Sequence, residues 1–345
     1  MACPKPLKGW VGPKGGIVFD KTKSPTLIEM EVPCGQCWSC RLARSREWAL
    51  RLIKEKSYWP EEQSLFITLT YNNENLPEDG SINIKHFQKF MKNLRDHFTR
   101  RNNDSVVRPN IKYFHCGEYG TECKNCGKSK IMHERGEACD NYQEQLGRPH
   151  YHAIIFGISF ADMELFKKTK AGSLIYKSET LNKIWNKGFV SIGEVTFESC
   201  AYTARYIMKK INGDQAEDHY QKTVINHSTG EINNFQVQPE YITMSRNPAI
   251  AKEYFEENAH DIAKHDGCLL QRQGKAFLTV PPRYFLKKLA EKEPDTVEAI
   301  KQKRRLKKHR TTKSFRNDRA IDAEKIKKVK MKDVSRDFER FHDED

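Results

Sequence analysis

No apolar stretch of the chain approaches the roughly 20 residues that a membrane-crossing helix requires, and the opening Met1-Ala2-Cys3-Pro4-Lys5 carries no apolar signal core. These absences point to a soluble intracellular protein without a membrane partner. There is no repeat at solenoid period, and low-complexity sequence is confined to a basic stretch near the C-terminus. Gly127-Lys128-Ser129 lacks the glycine five positions upstream that a phosphate-cradling nucleotide loop needs, so no such site is expected. Acidic residues also fall short: 46 Asp and Glu stand against 60 Lys and Arg, leaving a net charge of +14. That balance favours a polyanionic partner, nucleic acid first, because cationic side chains that neutralise phosphates release condensed counterions. An inert basic surface is the plainer alternative.

What is present suffices for a core without disulfides: 345 residues make one large domain or two modest ones. The ten cysteines form C-x-x-C clusters with no signal sequence, a pattern that suits thiolate metal ligands in a reducing cytosol. Leu42, Trp48, Ala49, Leu52 and Ile53 recur at helical spacing in a leading helix over 38–59, closed by Pro60. The β-formers of 65–71 predict a first strand. Ile84, Phe87, Phe90, Met91, Leu94 and Phe98 mark one face of an amphipathic helix whose other face carries Lys89, Lys92 and Arg95. Residues 111–116 and 149–158 read as second and third strands, with Pro149 at a strand start, where its missing N–H is tolerable. A helical region over 161–186, a fourth strand over 189–192 and a helix over 198–211 follow. The order βαββαβ is that of a ferredoxin-like, split-βαβ antiparallel sheet, an α+β fold, with the last helix free to lie across the exposed face.

The chemistry gathers on two of these elements. Residues two apart in a strand share a face, so His150 and His152 project together with Cα atoms roughly 6.5–7 Å apart. If the second and third strands pair as a hairpin, Glu118 in Gly117-Glu118-Tyr119-Gly120 comes beside His150. Two imidazoles and a carboxylate suit Mg²⁺ or Mn²⁺ with positions open to phosphate oxygens. His115 is a weaker third ligand, being farther from the strand end; hydrogen-bonded histidines and a surface turn acid are the alternatives. Tyr202 and Tyr206, at i and i+4, stack on one helix face, with Arg205 between them and Lys209 and Lys210 a turn later to balance phosphate charge and favour phenolate. Core packing of the tyrosines and solvated lysines is the competing assignment. Together the residues compose a phosphoryl-transfer site in which a tyrosine attacks phosphorus, expels the 3′ oxygen and keeps a 5′-phosphotyrosine that the 3′-OH can later reseal without ATP. A second tyrosine allows a second cleavage while the first is occupied.

These landmarks resemble the HUH endonucleases, and among them the replication initiation proteins of gokushovirus-like (Microviridae) single-stranded DNA phages. The resemblance rests on Pro33-Cys34-Gly35-Gln36-Cys37-Trp38-Ser39-Cys40-Arg41, Phe66-Ile67-Thr68-Leu69-Thr70-Tyr71, Gly117-Glu118-Tyr119-Gly120, Arg148-Pro149-His150-Tyr151-His152 and Tyr202-x-x-x-Tyr206 with Lys209-Lys210. Met244-Ser245-Arg246-Asn247-Pro248 and Pro281-Pro282-Arg283-Tyr284 extend it over most of residues 1–290. It implies rolling-circle replication in the host bacterial cytoplasm: nicking of the double-stranded replicative form at an origin, priming from the 3′-OH and rejoining of displaced circles. His150 and His152 then match the metal pair, Tyr202 and Tyr206 the nucleophiles, and Glu118 the further ligand. A host helicase and a replication polymerase are the implied partners. The chain departs from the family in residues 121–147, where a short connection is expected.

That insertion contains Cys123-x₂-Cys126-x₆-His133-x₅-Cys139, four ligands for a tetrahedral zinc that would hold the loop without a core of its own. Cys34-x₂-Cys37-x₂-Cys40 can likewise join Cys3 in a Cys₄ site pinning the N-terminal arm, free thiols being the alternative. Cys116, Cys200 and Cys268 read as small buried residues. Nine of the sixteen residues at 301–316 are Lys or Arg and none is acidic, a segment for phosphate contact without sequence reading. The expected organisation is an N-terminal Cys-rich arm and leading helix at 1–60, an endonuclease core at 61–215, an extension packing on it at 216–295 and a basic tail at 296–345. The rival class is a non-catalytic, zinc-dependent single-stranded nucleic-acid binder whose tyrosines stack bases.

Overall fold

The computed structural model describes residues 3–13, 16–102, 105–169, 172–206, 210–211, 215–225, 229–272, 274–309 and 320–329. The chain forms two compact units, one from residues up to 47, 259–271 and 276 onward, the other from 48–258 with 272–275. In the first, strands Leu7–Val11, Ile17–Val18 and Glu29–Val32 make a three-stranded antiparallel sheet, and Arg283–Lys292 and Pro294–His309 are helices. No helix among the described residues is long and apolar enough to cross a membrane.

The second unit is built on α1 (Trp38–Lys56, from Trp48 onward), β1 (Ser64–Tyr71), α2 (Ile84–Phe98), β2 (Lys112–Cys123), β3 (Glu144–Phe156), β4 (Glu164–Lys168), β5 (Leu174–Lys177), α3 (Glu179–Trp185), β6 (Gly188–Glu194), α4 (Phe197–Arg205) and β7 (Tyr241–Met244). Its seven strands form one sheet in the order β7-β2-β3-β1-β6-β5-β4, with every neighbouring pair antiparallel. The fold is α+β.

Period-two alternation divides the sheet into two working faces. Leu65, Ile67, Leu69 and Tyr71 of β1 and Tyr151, Ala153 and Ile155 of β3 point to one side, where they bury against Phe87, Phe90, Met91 and Leu94 of α2 and Leu181, Ile184 and Trp185 of α3. Burying those four α2 side chains is worth about 6–12 kcal/mol as an upper estimate. Asn83 caps α2 by accepting the Lys85 N–H, so the helix begins where the amphipathic stripe begins. On the opposite face, Trp48 meets Phe114 at a ring separation of 5.0 Å and Trp59 meets Phe156 at 6.4 Å. There Lys112, fully buried, pairs with Glu55 at 2.8 Å and Glu253 at 2.6 Å.

Three expectations change. Residues 161–186 are the hairpin β4–β5 followed by the short helix α3, instead of one helical region. Gly172 sits at φ +89°, outside helical geometry, and the β-formers Leu174-Ile175-Tyr176 pair with the edge of β6. The helix after β6 stops at Arg205, with Tyr206 as its C-cap, short of the expected 211; Lys209 lies outside the described residues. The insertion at 121–147 does not interrupt the β2–β3 hairpin. A register shift between Tyr119 and Thr121 lets pairing resume and run out to Cys123 opposite Glu144.

Candidate active site

The strand pairings bring the site together on the face away from α2. Glu118 lies directly across from His150, and Cys116 across from His152, in the β2–β3 ladder. On the other side of β3, Thr70 faces His150 and Thr68 faces His152. Since even-numbered β3 residues point away from the α2 core, both imidazoles and the Glu118 side chain project to one side. His150 Nε2 lies 2.7 Å and His152 Nε2 2.8 Å from the same Glu118 oxygen, Oε1. All three are buried, Glu118 at 1% exposure.

The outer nitrogens of the two rings are held as well. His150 Nδ1 lies 3.2 Å from the Arg148 carbonyl, which can only accept, so Nδ1 carries a proton and Nε2 faces inward as the ligand nitrogen. His152 Nδ1 meets the Thr68 hydroxyl at 2.8 Å, a partner that suits either tautomer. Converging nitrogens and a carboxylate oxygen, within 4.8 Å of one another, form a mixed donor set fit for a hard or borderline divalent cation. His115 takes no part: its ring stacks on Phe87 in the opposite layer and Nδ1 meets Thr243 Oγ1 at 2.7 Å, while burial holds its pKa well below the ordinary value.

Helix α4 sets both tyrosines over these groups. Thr196 and Ser199 form a reciprocal capping box at its start, and the i, i+4 spacing puts Tyr202 and Tyr206 on its sheet side. The Tyr202 hydroxyl lies 3.5 Å from His152 Nε2. The Tyr206 ring stacks on the His152 ring at 5.5 Å and 17°, and meets Tyr202 edge-on at 5.0 Å. Phe66 stacks on the other neighbourhood of His152 at 5.6 Å and touches Tyr202 edge-on. Burial first, and the Glu118 carboxylate second, push the Tyr206 phenol well above its ordinary pKa. The Arg205 guanidinium lies over the Tyr202 ring at 5.7 Å, whereas Lys210 is exposed beyond the helix end. A cavity of about 30 Å³ beside Tyr202, lined among others by Phe66, Thr68, Ser191 and Ser199, has room for water and none for a nucleotide.

Thr68 and Phe66 are the site residues that sequence reasoning passed over. Their signal was the alternation of β1: once the odd positions are assigned to the core, the even ones must face whatever β3 presents with its histidines. The two cysteine groups also assemble. Cys3, Cys34, Cys37 and Cys40 form one cluster, and Cys123, Cys126, His133 and Cys139 another. Cys116, Cys200 and Cys268 are separate and buried.

Comparison with known proteins falls on the same residues. The family model of the replication-associated protein ORF2 matches residues 64–126 and 137–211, which include Glu118, His150, His152, Tyr202 and Tyr206. The replication-associated protein ORF2 of Spiroplasma virus 4 is 31% identical over 322 residues, covering 88% of this chain and 86% of the relative. The replication-associated protein VP4 of Bdellovibrio phage phiMH2K is 32% identical over 220 residues, 64% of this chain and 61% of the relative. For the replication-associated protein ORF4 of Chlamydia phage 1 the figures are 30% over 184 residues, 52% and 38%. No solved structure matches the chain.

Proposed function

The chain belongs to the family of phage replication-associated proteins, and from that membership we propose that it is the endonuclease that starts and ends rolling-circle replication of a single-stranded DNA phage genome. It nicks the replicative form at the origin through a 5′-phosphotyrosine, leaves a 3′-OH primer, and later cleaves and rejoins the displaced strand. We read β6-β1-β3-β2 at the heart of the sheet as the split-βαβ arrangement of HUH type. The observation that carries the proposal is the Tyr202 hydroxyl 3.5 Å from Nε2 of His152, on the ring that converges with His150 and Glu118.

In the proposed reaction Tyr202 Oη attacks phosphorus, a P–O bond to tyrosine forms, the bond to the 3′ oxygen breaks, and the phenol's proton is balanced by the one the 3′ oxygen gains. One phosphodiester replaces another, so resealing needs no ATP. Glu118, His150 and His152 would hold a Mg²⁺ or Mn²⁺ ion, which when bound neutralises charge on the scissile phosphate and polarises it. Thr68 and the Arg148 carbonyl keep the two rings in place by their Nδ1 contacts. Arg205, beside Tyr202, balances phosphate charge. Tyr202 and Tyr206 are each only 3% exposed, so DNA enters as α4 lifts from the sheet. Tyr206 is the second nucleophile, for cleavage while Tyr202 is still joined to DNA. Origin DNA, a host helicase and the replication polymerase are the partners, in the host bacterial cytoplasm.

The test is incubation with single-stranded origin DNA and Mn²⁺. A covalent protein–DNA band is expected from the wild type and none from Tyr202→Phe combined with Tyr206→Phe. A band that survives in the double variant refutes the nucleophiles. DNA binding with no band from the wild type favours the non-catalytic binder instead.

A further inference from the structure

We propose that the two cysteine clusters are zinc knuckles, one binding Zn²⁺ through Cys123, Cys126, His133 and Cys139, the other through Cys3, Cys34, Cys37 and Cys40. They are separate from the histidine site and built from different elements.

The distances identify the chemistry. Four sulfurs about 2.3 Å from a tetrahedral zinc stand about 3.8 Å apart along each edge. Cys123 and Cys139 sulfurs are 3.8 Å apart, and Cys3 is 3.6 Å from both Cys34 and Cys37. A disulfide would bring sulfurs to about 2.05 Å, and hydrophobic packing has no reason to draw four polar ligands within 4.8 Å of one another. In the first cluster, His133 Nε2 completes the set 3.3 Å from Cys126. Thiolate and imidazole ligands select zinc over the oxygen-seeking cations suited to Glu118.

The backbone around each cluster has the form a knuckle needs. In Cys34-Gly35-Gln36-Cys37 the glycine lies at φ +76°, and in Cys123-Lys124-Asn125-Cys126-Gly127 it lies at φ +67°. These turns aim backbone N–H groups at sulfur: Cys37 N–H donates to Cys34 at 3.2 Å and Cys34 N–H to Cys3 at 3.5 Å. In the second cluster the turn is closed by Gly127 N–H to the Cys123 carbonyl and Cys123 N–H to the Lys128 carbonyl, each at 2.8 Å.

The β2–β3 tip also lacks any other means of holding its shape. Among the described side chains of residues 124–143, none is buried, so no apolar core can offset the entropy of ordering them. Metal ligation supplies that stabilisation. Residues 127–136 fall between the two stretches matched by the family model, so this knuckle sits in the part of the hairpin outside the match. The second knuckle fastens Cys3 of the N-terminal arm to the turn that opens α1.

The experiment is metal analysis of the purified full chain by plasma mass spectrometry, with zinc release followed by a chromogenic chelator as a mercurial titrates the thiols. Two zinc equivalents per chain are expected, falling to one in Cys123→Ser/Cys126→Ser and to one in Cys37→Ser/Cys40→Ser. Less than one equivalent in the wild type, iron in place of zinc, or either variant keeping both equivalents overturns the assignment. If the wild type holds a single equivalent, the variant that retains it identifies the site that was wrongly assigned. The wild-type titration does not depend on the variants folding. Because metal content is measured and not cleavage, failure here leaves the endonuclease reading intact, and failure of the covalent-band test leaves the knuckles intact.

Discussion

Glu118→Gln separates a metal site from a cluster of hydrogen-bonded histidines. The substitution keeps the size and shape of a side chain that is 1% exposed and replaces the anion that both Nε2 atoms approach, at 2.7 and 2.8 Å. If Mn²⁺ is present at a hundredfold excess over its Kd, binding to the folded state alone stabilises it by about 2.7 kcal/mol. Loss of outer partners that only orient ligands costs up to about 100-fold in affinity, so loss of a directly ligating anion costs at least about that much. At the same Mn²⁺ concentration the variant is then half saturated or less, and its gain falls to about 0.4 kcal/mol. For a unit of this size, 1 kcal/mol moves the melting temperature by about 2–4 °C. Differential scanning calorimetry with and without Mn²⁺ should therefore show a rise of about 5–11 °C in the wild type and about 1–2 °C in the variant, for the transition of the unit that carries the site. Cys126→Ser should keep the full Mn²⁺ response, since its ligands belong to a different ion. An equal Mn²⁺ shift in wild type and Glu118→Gln would show that the carboxylate ligates nothing and that the triad is a hydrogen-bonded structural group.

Further outcomes follow from other parts of the same unit. Lys112→Met strips the cation from a pair of carboxylates, and because Glu55 keeps hydrogen bonds from Ala251 N–H and Trp59 Nε1, the cost should lie near the lower end of the range for a broken buried ion pair, about 3 kcal/mol at pH 7 by urea denaturation. Lys112 also depresses the Glu253 pKa, although burial opposes this, so the stability it lends is present above the unfolded carboxylate pKa and is lost as pH falls through the folded one. The gap between wild type and variant should narrow below pH 4.5, and a gap that widens there would contradict the pairing. Thr196→Ala removes one arm of the capping box on α4 and should cost about 1 kcal/mol. Amide exchange at Cys200–Tyr202 should speed up about fivefold while β3 amides are unchanged, and equal acceleration in both would mean that α4 does not open by itself.

Much of the site was legible because it depends on short-range periodicity. His150 and His152 share a face for any strand in that register, and Tyr202 and Tyr206 share a face for any helix at that position. α2 was equally readable, since its six apolar residues can be buried together only as a helix. The 161–186 segment was misread because short apolar runs fit either period, and the available edge of β6 decided in favour of strands. The end of α4 at Arg205 was not marked by any glycine or proline. β7, whose Tyr241 and Ile242 pair with Gly117 and Cys116, had no local signal because its partner lies more than a hundred residues away in the chain.

By itself the sequence determined which residues could act together within one element: the two histidines, the two tyrosines and the spaced cysteines, together with a charge suited to DNA. Covalent geometry sets those relations before any long-range contact forms. Only the tertiary structure decided that Glu118 lies opposite His150, that Thr68 orients His152, and that Tyr202 and Tyr206 cover the same imidazole. Those relations depend on inter-strand register and on where α4 packs, and register is selected by burial on the far face of the sheet, where Leu65, Ile67 and Leu69 meet α2 and α3.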